Sequence, residues 1–297
     1  MTLTVALVTA REARGLDEDL PPLEAAMHAA GVRTRVVDWD DGQVDWASFA
    51  IALIRSTWDY TDRLPEFLAW VDSAARHTTL LNPPAVVRWN TDKHYLAELA
   101  RARVAVVPSD FLEPGTDAGR GVRDFLAREN CAEFVVKPCV SVGSRDTQRH
   151  ARTGVEAATA QAQGLLAAGR SVLLQPYLDS VDRDGETALM FFAGRFSHAI
   201  RKGPLLPPGR PGSPAIGLFA PEKIASRVPG ADELRLADQV LSALPFKAPL
   251  YARVDLIRDA TGAPVLLELE LTEPSLFFAY AAGAAERFTT AVLQARV

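Results

Sequence analysis

Three acidic residues near the end of the chain carry the clearest chemical signal. Asp255 lies in Ala252-Arg-Val-Asp-Leu-Ile257, and Glu268-Leu-Glu270 follows after the turn Asp259-Ala-Thr-Gly262. The apolar runs on either side of that turn, Leu250–Arg258 and Val265–Glu270, read as a hairpin. Residues two apart in a strand share a face, so Glu268 and Glu270 project together while Leu267, Leu269 and Leu271 take the other side. Asp255 belongs to the partner strand. Three carboxylates gathered on one sheet face repel one another. A hard divalent cation removes that cost, and Mg2+ is suited to carboxylates combined with substrate phosphates. The same pattern also describes the solvated face of an amphipathic hairpin.

Several further groups suit an anionic ligand. Lys137 ends the apolar strand Phe134-Val-Val-Lys137, where it needs either an anion or a path to water. Cys139-Val-Ser-Val-Gly-Ser144-Arg-Asp146 follows, a stretch of small and hydroxyl residues able to wrap phosphates with backbone N–H groups. In Leu173-Leu-Gln175-Pro176-Tyr177, proline stops a strand and leaves the backbone beyond it free to read an adenine edge; an ordinary strand terminus has the same sequence. His198-Ala-Ile-Arg201-Lys202 puts two cations at the mouth of a loop, suited to a carboxylate or a transferring phosphate. Arg55-Ser56-Thr57-Trp58-Asp59-Tyr60 ends an apolar strand, where ligands of open α/β sheets collect; a structural loop with a packed tryptophan fits equally well.

The elements that must position these groups fall into two styles. Residues 1–85 alternate strand and helix: strands at Val5–Thr9, Val32–Val37, Ile51–Ile54 and Leu80–Leu81, helices near Pro21–Ala30 and Leu64–Ala75. That order predicts a small parallel sheet covered by helices. Beyond it come a helix over Thr91–Ala102, a strand at Glu133–Lys137, a helix over Gly154–Ala168, a strand at Val172–Gln175, and the hairpin Thr187–Ala193 with Arg195–Ile200. Strand pairs interleaved with helices predict antiparallel α+β structure. Residues 203–222 hold six prolines and four glycines, an irregular loop of the kind that serves as a lid or as a plain surface insertion.

Composition narrows the class. The chain has 297 residues, 48% hydrophobic and 23% charged, with net charge −5. That length suggests two domains or one composite, and there is no basic excess to neutralise nucleic-acid phosphates. No apolar run reaches the roughly 18 residues of a membrane helix. The first residues read as a strand, not a signal peptide. Two cysteines cannot frame a fold of this size, which places the chain in reducing cytoplasm. They lack metal-ligand spacing, and the five histidines are scattered, so both read as structural. Walker, dinucleotide, nucleophile-elbow and zinc-helix motifs are all missing.

Taken in order, Lys93, Lys137-Pro with its small-residue loop, Gln175-Pro-Tyr177, Glu186, Arg253-Val-Asp255 and Glu268-Leu-Glu270 resemble the ATP-grasp superfamily of carboxylate–amine ligases. The resemblance covers residues 86–297, with residues 1–85 similar to the superfamily's N-terminal α/β domain. It implies an N-terminal parallel α/β domain over 1–85, and two antiparallel α+β subdomains clasping ATP over 86–175 and 176–297. It implies that Lys93, Lys137 and Ser144 contact phosphates, that Gln175 and Tyr177 frame adenine, and that Glu186 holds the ribose. Asp255, Glu268 and Glu270 would bind Mg2+. The usual Glu-x-Asn is Glu-x-Glu here, and the extra charge suits a second metal or Mn2+. Lys202, Arg201 and Arg253 would offset charge on the reacting groups, and Ser56, Thr57, Trp58 and Asp59 would meet a small amino-acid-like substrate. The implied chemistry is acylphosphate formation followed by amide formation. The marks Ser56–Tyr60 and Leu267–Ser275 resemble those of superfamily members that close a ring within one substrate, and this resemblance implies the same reaction here, the alternative being an amide joined to a separate amine. Neither nucleic acid nor membrane is an expected partner; a homodimer is. Rival readings are a non-catalytic nucleotide-binding module and a metal-binding protein without ATP chemistry.

Overall fold

The computed structural model describes residues 3–206 and 223–295. Most of the 203–222 loop therefore lies outside the described residues. The first layer is a parallel sheet in the order β2-β1-β3-β4, built from β1 (Thr4–Thr9), β2 (Arg33–Asp38), β3 (Ile51–Ser56) and β4 (Thr79–Leu81). Helices α1 (Leu20–Ala29) and α2 (Leu64–Ala74) make the crossovers. β1 is apolar over Val5–Val8 and β3 over Ile51–Ile54 because helices cover both faces of the sheet. Trp39, Phe67 and Trp70 pack one face; α1 packs the other against the C-terminal helix.

The helix expected over Thr91–Ala102 is present but shorter, and a separate, unexpected helix precedes it. α3 (Pro84–Asn90) begins on a proline, which a first helical turn accepts, and α4 (Tyr95–Arg101) follows after a turn carrying Asp92, Lys93 and His94. The middle of the chain forms a sheet in the order β5-β8-β6-β7, every pairing antiparallel, from β5 (Asp110–Leu112), β6 (Glu133–Pro138), β7 (Gln148–Ala151) and β8 (Val172–Pro176). Helices α5 (Ala118–Arg128) and α6 (Val155–Ala167) close its core.

After α7 (Ser180–Asp184), a five-stranded antiparallel sheet runs β11-β10-β9-β12-β13: β9 (Glu186–Phe192), β10 (Arg195–Lys202), β11 (Ile224–Arg227), β12 (Tyr251–Arg258) and β13 (Pro264–Glu270). α8 (Ala231–Ser242) packs on one face through Leu236, Ala237 and Val240 against Leu189, Phe191 and Val254. α9 (Ala284–Gln294) and the N-terminal layer cover one end of the other face, around Met190, Phe192 and Tyr251. The middle of that second face is where the acidic and basic side chains stand.

β13 is an edge strand whose outer backbone groups would otherwise be unpaired. The Asn90 amide spans two of them, donating to the Leu269 carbonyl at 2.8 Å and accepting from Leu271 N–H at 2.6 Å. The Tyr95 hydroxyl accepts from Leu269 N–H at 3.0 Å. Asn82 donates to the Leu271 and Tyr251 carbonyls at 2.8 and 2.9 Å and accepts from Leu250 N–H at 2.6 Å. With its edge sealed by side chains, β13 holds its register and keeps Glu268 and Glu270 on the cleft face.

Candidate active site

A cleft of about 650 Å³ lies between the middle sheet, the five-stranded sheet and the C-terminal ends of the parallel strands. Pairing in the terminal hairpin places Asp255 opposite Glu268 and Arg253 opposite Glu270, so the expected facing arrangement is present. A bulge interrupts the ladder just after Asp255. It turns Leu267 out of the row formed by Leu266, Leu269 and Leu271. Contrary to the alternation read from sequence, Leu267 joins Val181, Ile257 and Val265 in a separate apolar cluster, and lines the cleft with Ile257 and Val181. These walls form an apolar slot beside Tyr177 and Leu178, a shape suited to a flat base. Spacing did not reveal them because they come from three separate elements.

Most of the cleft's charges are paired. Lys202 Nζ lies 2.7 Å from Asp255 Oδ2 and 2.8 Å from Glu186 Oε2. Arg253 forks onto Asp255 at 2.9 and 3.0 Å, reaches Glu270, and donates to the Ser275 carbonyl at 3.2 Å. Lys93 Nζ is 3.1 Å from Glu268 Oε1 and from the Ser141 carbonyl. Asp255 is therefore enclosed by two cations and does not itself line the cleft. Burial would raise its pKa, but Arg253 and Lys202 hold it below the ordinary value. Lys137 contrasts with these: it is buried and makes no hydrogen bond or ion pair to a described residue. Burial pulls its ammonium below its usual pKa.

The acids outnumber the bases. Burial and the neighbouring Asp255 and Glu268 push Glu270 up to about 7 against the pull of Arg253. Burial and Glu270 push Glu273, hydrogen-bonded to Tyr60, up to about 8. Two carboxyls that stay partly protonated near neutrality mark a site short of positive charge, which a divalent cation would supply. The donor set, oxygen only, fits Mg2+.

The remaining expected residues divide. Ser144 lines the cleft in the 139–147 loop, where Gly143 and Ser144 take left-handed φ of 61° and 59° in succession. Gln175 lines it too, its amide donating to Ser109 Oγ at 2.9 Å. Tyr177 N–H is not free as expected, since it donates to the Glu133 carbonyl at 2.9 Å. The Tyr177 ring lies under Arg149 and its hydroxyl donates to Asp182. Arg201 does not reach the cleft: its guanidinium donates to the Asp184 and Arg183 carbonyls. Of Ser56, Thr57, Trp58 and Asp59, only Trp58 lines the cleft. Ser56 is bonded to Thr9, and Asp59 accepts from Trp39 Nε1 and Arg63 on the far side of the layer.

Sequence reasoning missed Asp17 and Asp19, which complete the cleft wall with Tyr60, Glu273 and Ser275; these last, like the fully buried Arg55 behind the wall, lie within stretches it marks without giving them roles of their own. Arg55 Nη2 donates to the Pro274 carbonyl and lies 3.6 Å from Asp19, while its Nε and Nη1, Asp17 Oδ2 and Thr57 Oγ1 are buried without partners among the described residues. Asp19 accepts from the N–H groups of Leu276, Phe277 and Phe278. The sequence signals for this corner are the Arg55–Tyr60 stretch and the acidic run Asp17-Glu18-Asp19 before α1.

Antiparallel layers closing on a carboxylate- and lysine-lined cleft define an ATP-grasp ligase. A D-alanine–D-alanine ligase from Bacillus anthracis complexed with ATP superposes with TM-score 0.70 at 13% identity, covering 99% of this chain and 97% of that one. The ATP-grasp ligase PsnB, complexed with a phosphomimetic precursor variant, Mg and ADP, gives 0.68 at 17% identity, covering 100% of this chain and 99% of that one. Residues 5–82 match the model of the D-cycloserine synthetase DcsG N-terminal domain. Over 297 residues the chain is 42% identical to the cycloserine biosynthesis protein DcsG of Streptomyces lavendulae, covering 98% of each. The crystal structure of D-cycloserine synthetase DcsG superposes with TM-score 0.92 at 42% identity, covering 99% of this chain and all of that one. The chain belongs to the DcsG family of ATP-dependent ligases.

Proposed function

We propose that this enzyme closes O-ureido-D-serine into the isoxazolidinone ring of D-cycloserine at the expense of ATP. The observation that carries this reading is the end-to-end likeness to DcsG, spanning the substrate-side layer as well as the nucleotide cleft. The substrate carboxylate attacks the γ-phosphorus of ATP, ADP leaves, and an acylphosphate forms. The ureido nitrogen attached to oxygen then displaces phosphate from the acyl carbon and closes the ring, and water carries off the carbamoyl group as CO2 and ammonia.

The protein's task is positioning and charge balance. Lys137, the cleft's cation without a partner among the described residues, and Lys93 hold phosphate oxygens, with Ser144 beside them. Leu267, Ile257, Gln175 and Tyr177 frame the base, and Glu186 meets the ribose. Glu268 and Glu270, which line the cleft, would hold Mg2+, or Mn2+, which supplies neutralisation of the nucleotide phosphates, with Asp255 set behind them among its two cations. Arg253 and Lys202 fix these carboxylates and offset charge on the acyl group. Trp58, Asp17 and Tyr60 face the amino-acid end. We assign the enzyme to the cytoplasm, where its two free cysteines stay reduced, and expect a homodimer.

The test is ADP release with ATP and Mg2+, with and without O-ureido-D-serine, and product mass read in the same tube. Substrate-dependent ADP with a cyclic product supports the reading. ADP release only with another amino acid plus an amine favours the intermolecular ligase and overturns ring closure.

A further inference from the structure

Behind the cleft stands a second group of side chains that the ligase chemistry does not use. A carboxylate oxygen of Asp92, a ring nitrogen of His94 and the Cys139 sulfur all lie within 4.8 Å of one another. Asp92 and His94 share one short turn, but Cys139 comes from a strand end more than forty residues on, which is why spacing gave no hint of the group. We propose that Asp92, His94 and Cys139 form a Zn2+ site, separate from the oxygen-only carboxylates of the cleft. Thiolate, imidazole and carboxylate together select zinc over Mg2+.

The imidazole is held as metal-bound histidines are held. His94 Nε2 shares a hydrogen bond with Glu113 Oε1 at 2.8 Å, and the other Glu113 oxygen accepts from Ser171 Oγ at 2.6 Å. The ring stacks on Phe111 with centroids 4.3 Å apart. A carboxylate on the distal nitrogen fixes the tautomer and orientation of a ligating histidine. Nδ1 is thereby aimed at Asp92 Oδ1, 2.6 Å away. Without metal, a proton shared between these two atoms stands in for the cation.

The geometry needs little adjustment. Tetrahedral ligands at about 2.0–2.3 Å from zinc stand about 3.5 Å from one another, so Asp92 and His94, now 2.6 Å apart, would part by about an ångström while the Cys139 sulfur closes in by about as much. Asp92 and His94 are partly exposed in the short turn between α3 and α4, while Cys139 is buried at the end of β6, its N–H donating to the Ser171 carbonyl at 2.9 Å. Binding releases the thiol proton of Cys139 and the proton between His94 and Asp92, leaving thiolate and neutral imidazole on the metal. A water completes the fourth position on the solvent side. Lys93 lies between two of the ligands, and its N–H donates to the Cys139 carbonyl at 3.0 Å. An occupied site therefore ties the Lys93 turn to the strand that carries Lys137.

The experiment titrates Zn2+ against a chromogenic chelator, using nucleotide-free full-length protein in excess Mg2+. One equivalent is expected to bind to the wild type and to Cys131→Ala, and none to Cys139→Ala or His94→Gln. Glu113→Gln is expected to weaken binding by about 10- to 100-fold. Co2+ gives a second readout: a thiolate-to-cobalt charge-transfer band in wild type and Cys131→Ala, absent from Cys139→Ala. His94 is partly exposed, so His94→Gln keeps the fold intact for the comparison. Wild-type binding in both Cys139→Ala and His94→Gln, a cobalt band that survives loss of Cys139, or failure of the wild type to take up zinc overturns the proposal.

Discussion

Lys137 is placed for the nucleotide at a cost to the empty protein, and this makes an unusual prediction for Lys137→Met. Methionine keeps the apolar stem and removes the charge. Lys137 is 7% exposed and makes no hydrogen bond or ion pair to a described residue, and burial, outweighing the attraction of Glu268 and Glu186, holds its ammonium below its usual pKa. Leaving a buried polar group unpaired costs about 1–3 kcal/mol, so the variant is expected to be more stable by that amount. Unfolding entropy of about 2.1 cal/mol/K per residue is about 0.6 kcal/mol/K for a chain of this length. The Tm of the empty protein should therefore rise by about 2–5 °C. Nucleotide binding should move the other way. A hydrogen bond to a charged group contributes about 1.5–3 kcal/mol, so the Kd for a non-hydrolysable ATP analogue should weaken by about 10- to 150-fold. Thermal unfolding with and without nucleotide, together with calorimetric titration, reads both arms. A less stable empty variant that binds nucleotide as tightly as wild type would refute the argument that Lys137 is held for a phosphate.

Asp255→Asn leaves Lys202 and Arg253 without their shared buried carboxylate; the expected result is loss of about 3 kcal/mol on denaturant unfolding and a fall in kcat of about 100-fold or more. Glu273→Gln tests the acid surplus. The wild-type carboxyl is raised from 4.5 to about 8 in the folded protein, so folded protein holds its proton more tightly than unfolded protein, and stability is lost as pH rises between those values. The Tm advantage of Glu273→Gln should therefore grow from about pH 4.5 and level off above about pH 8, as read by thermal melts across a buffer series. Asn82→Ala strands three buried backbone groups at the layer junction and should lower Tm by about 5–15 °C, measured without ligand. Arg201→Ala should leave kcat for ADP release unchanged while Lys202→Ala lowers it, because only Lys202 faces the cleft.

That last pair shows where a sequence is legible and where it is not. The facing of Asp255, Glu268 and Glu270 could be read because strand alternation and a short turn settle it locally, and the register agrees. The same alternation argues against Arg201 and Lys202 both reaching one cleft, since neighbours in β10 point to opposite faces. Lys202 turns inward to Asp255 and Glu186, and Arg201 turns to the backbone before β9. Read for charge alone, the dipeptide looks like one site; read for facing, it is two residues with different work. The parallel first layer followed by antiparallel sheets was visible in the spacing of apolar runs, as was the hairpin of Thr187–Ala193 with Arg195–Ile200, which the structure extends to Glu186 and Lys202. What stayed hidden depends on contacts between distant segments. Asn82, Asn90 and Tyr95 are ordinary helix-edge residues until β13 arrives beside them, and Leu267 is one leucine among four until a bulge rotates it. Asp17, the Arg55–Tyr60 stretch and Glu273 come from three separate segments and meet only when the first layer docks against the segment after β13. The metal- and phosphate-facing half of the cleft is built on two neighbouring hairpins and one strand, so local rules reach it. The amino-acid end is assembled from the junction between layers, so in this fold the nucleotide half announces itself in sequence while the half that chooses the substrate is written in tertiary contacts.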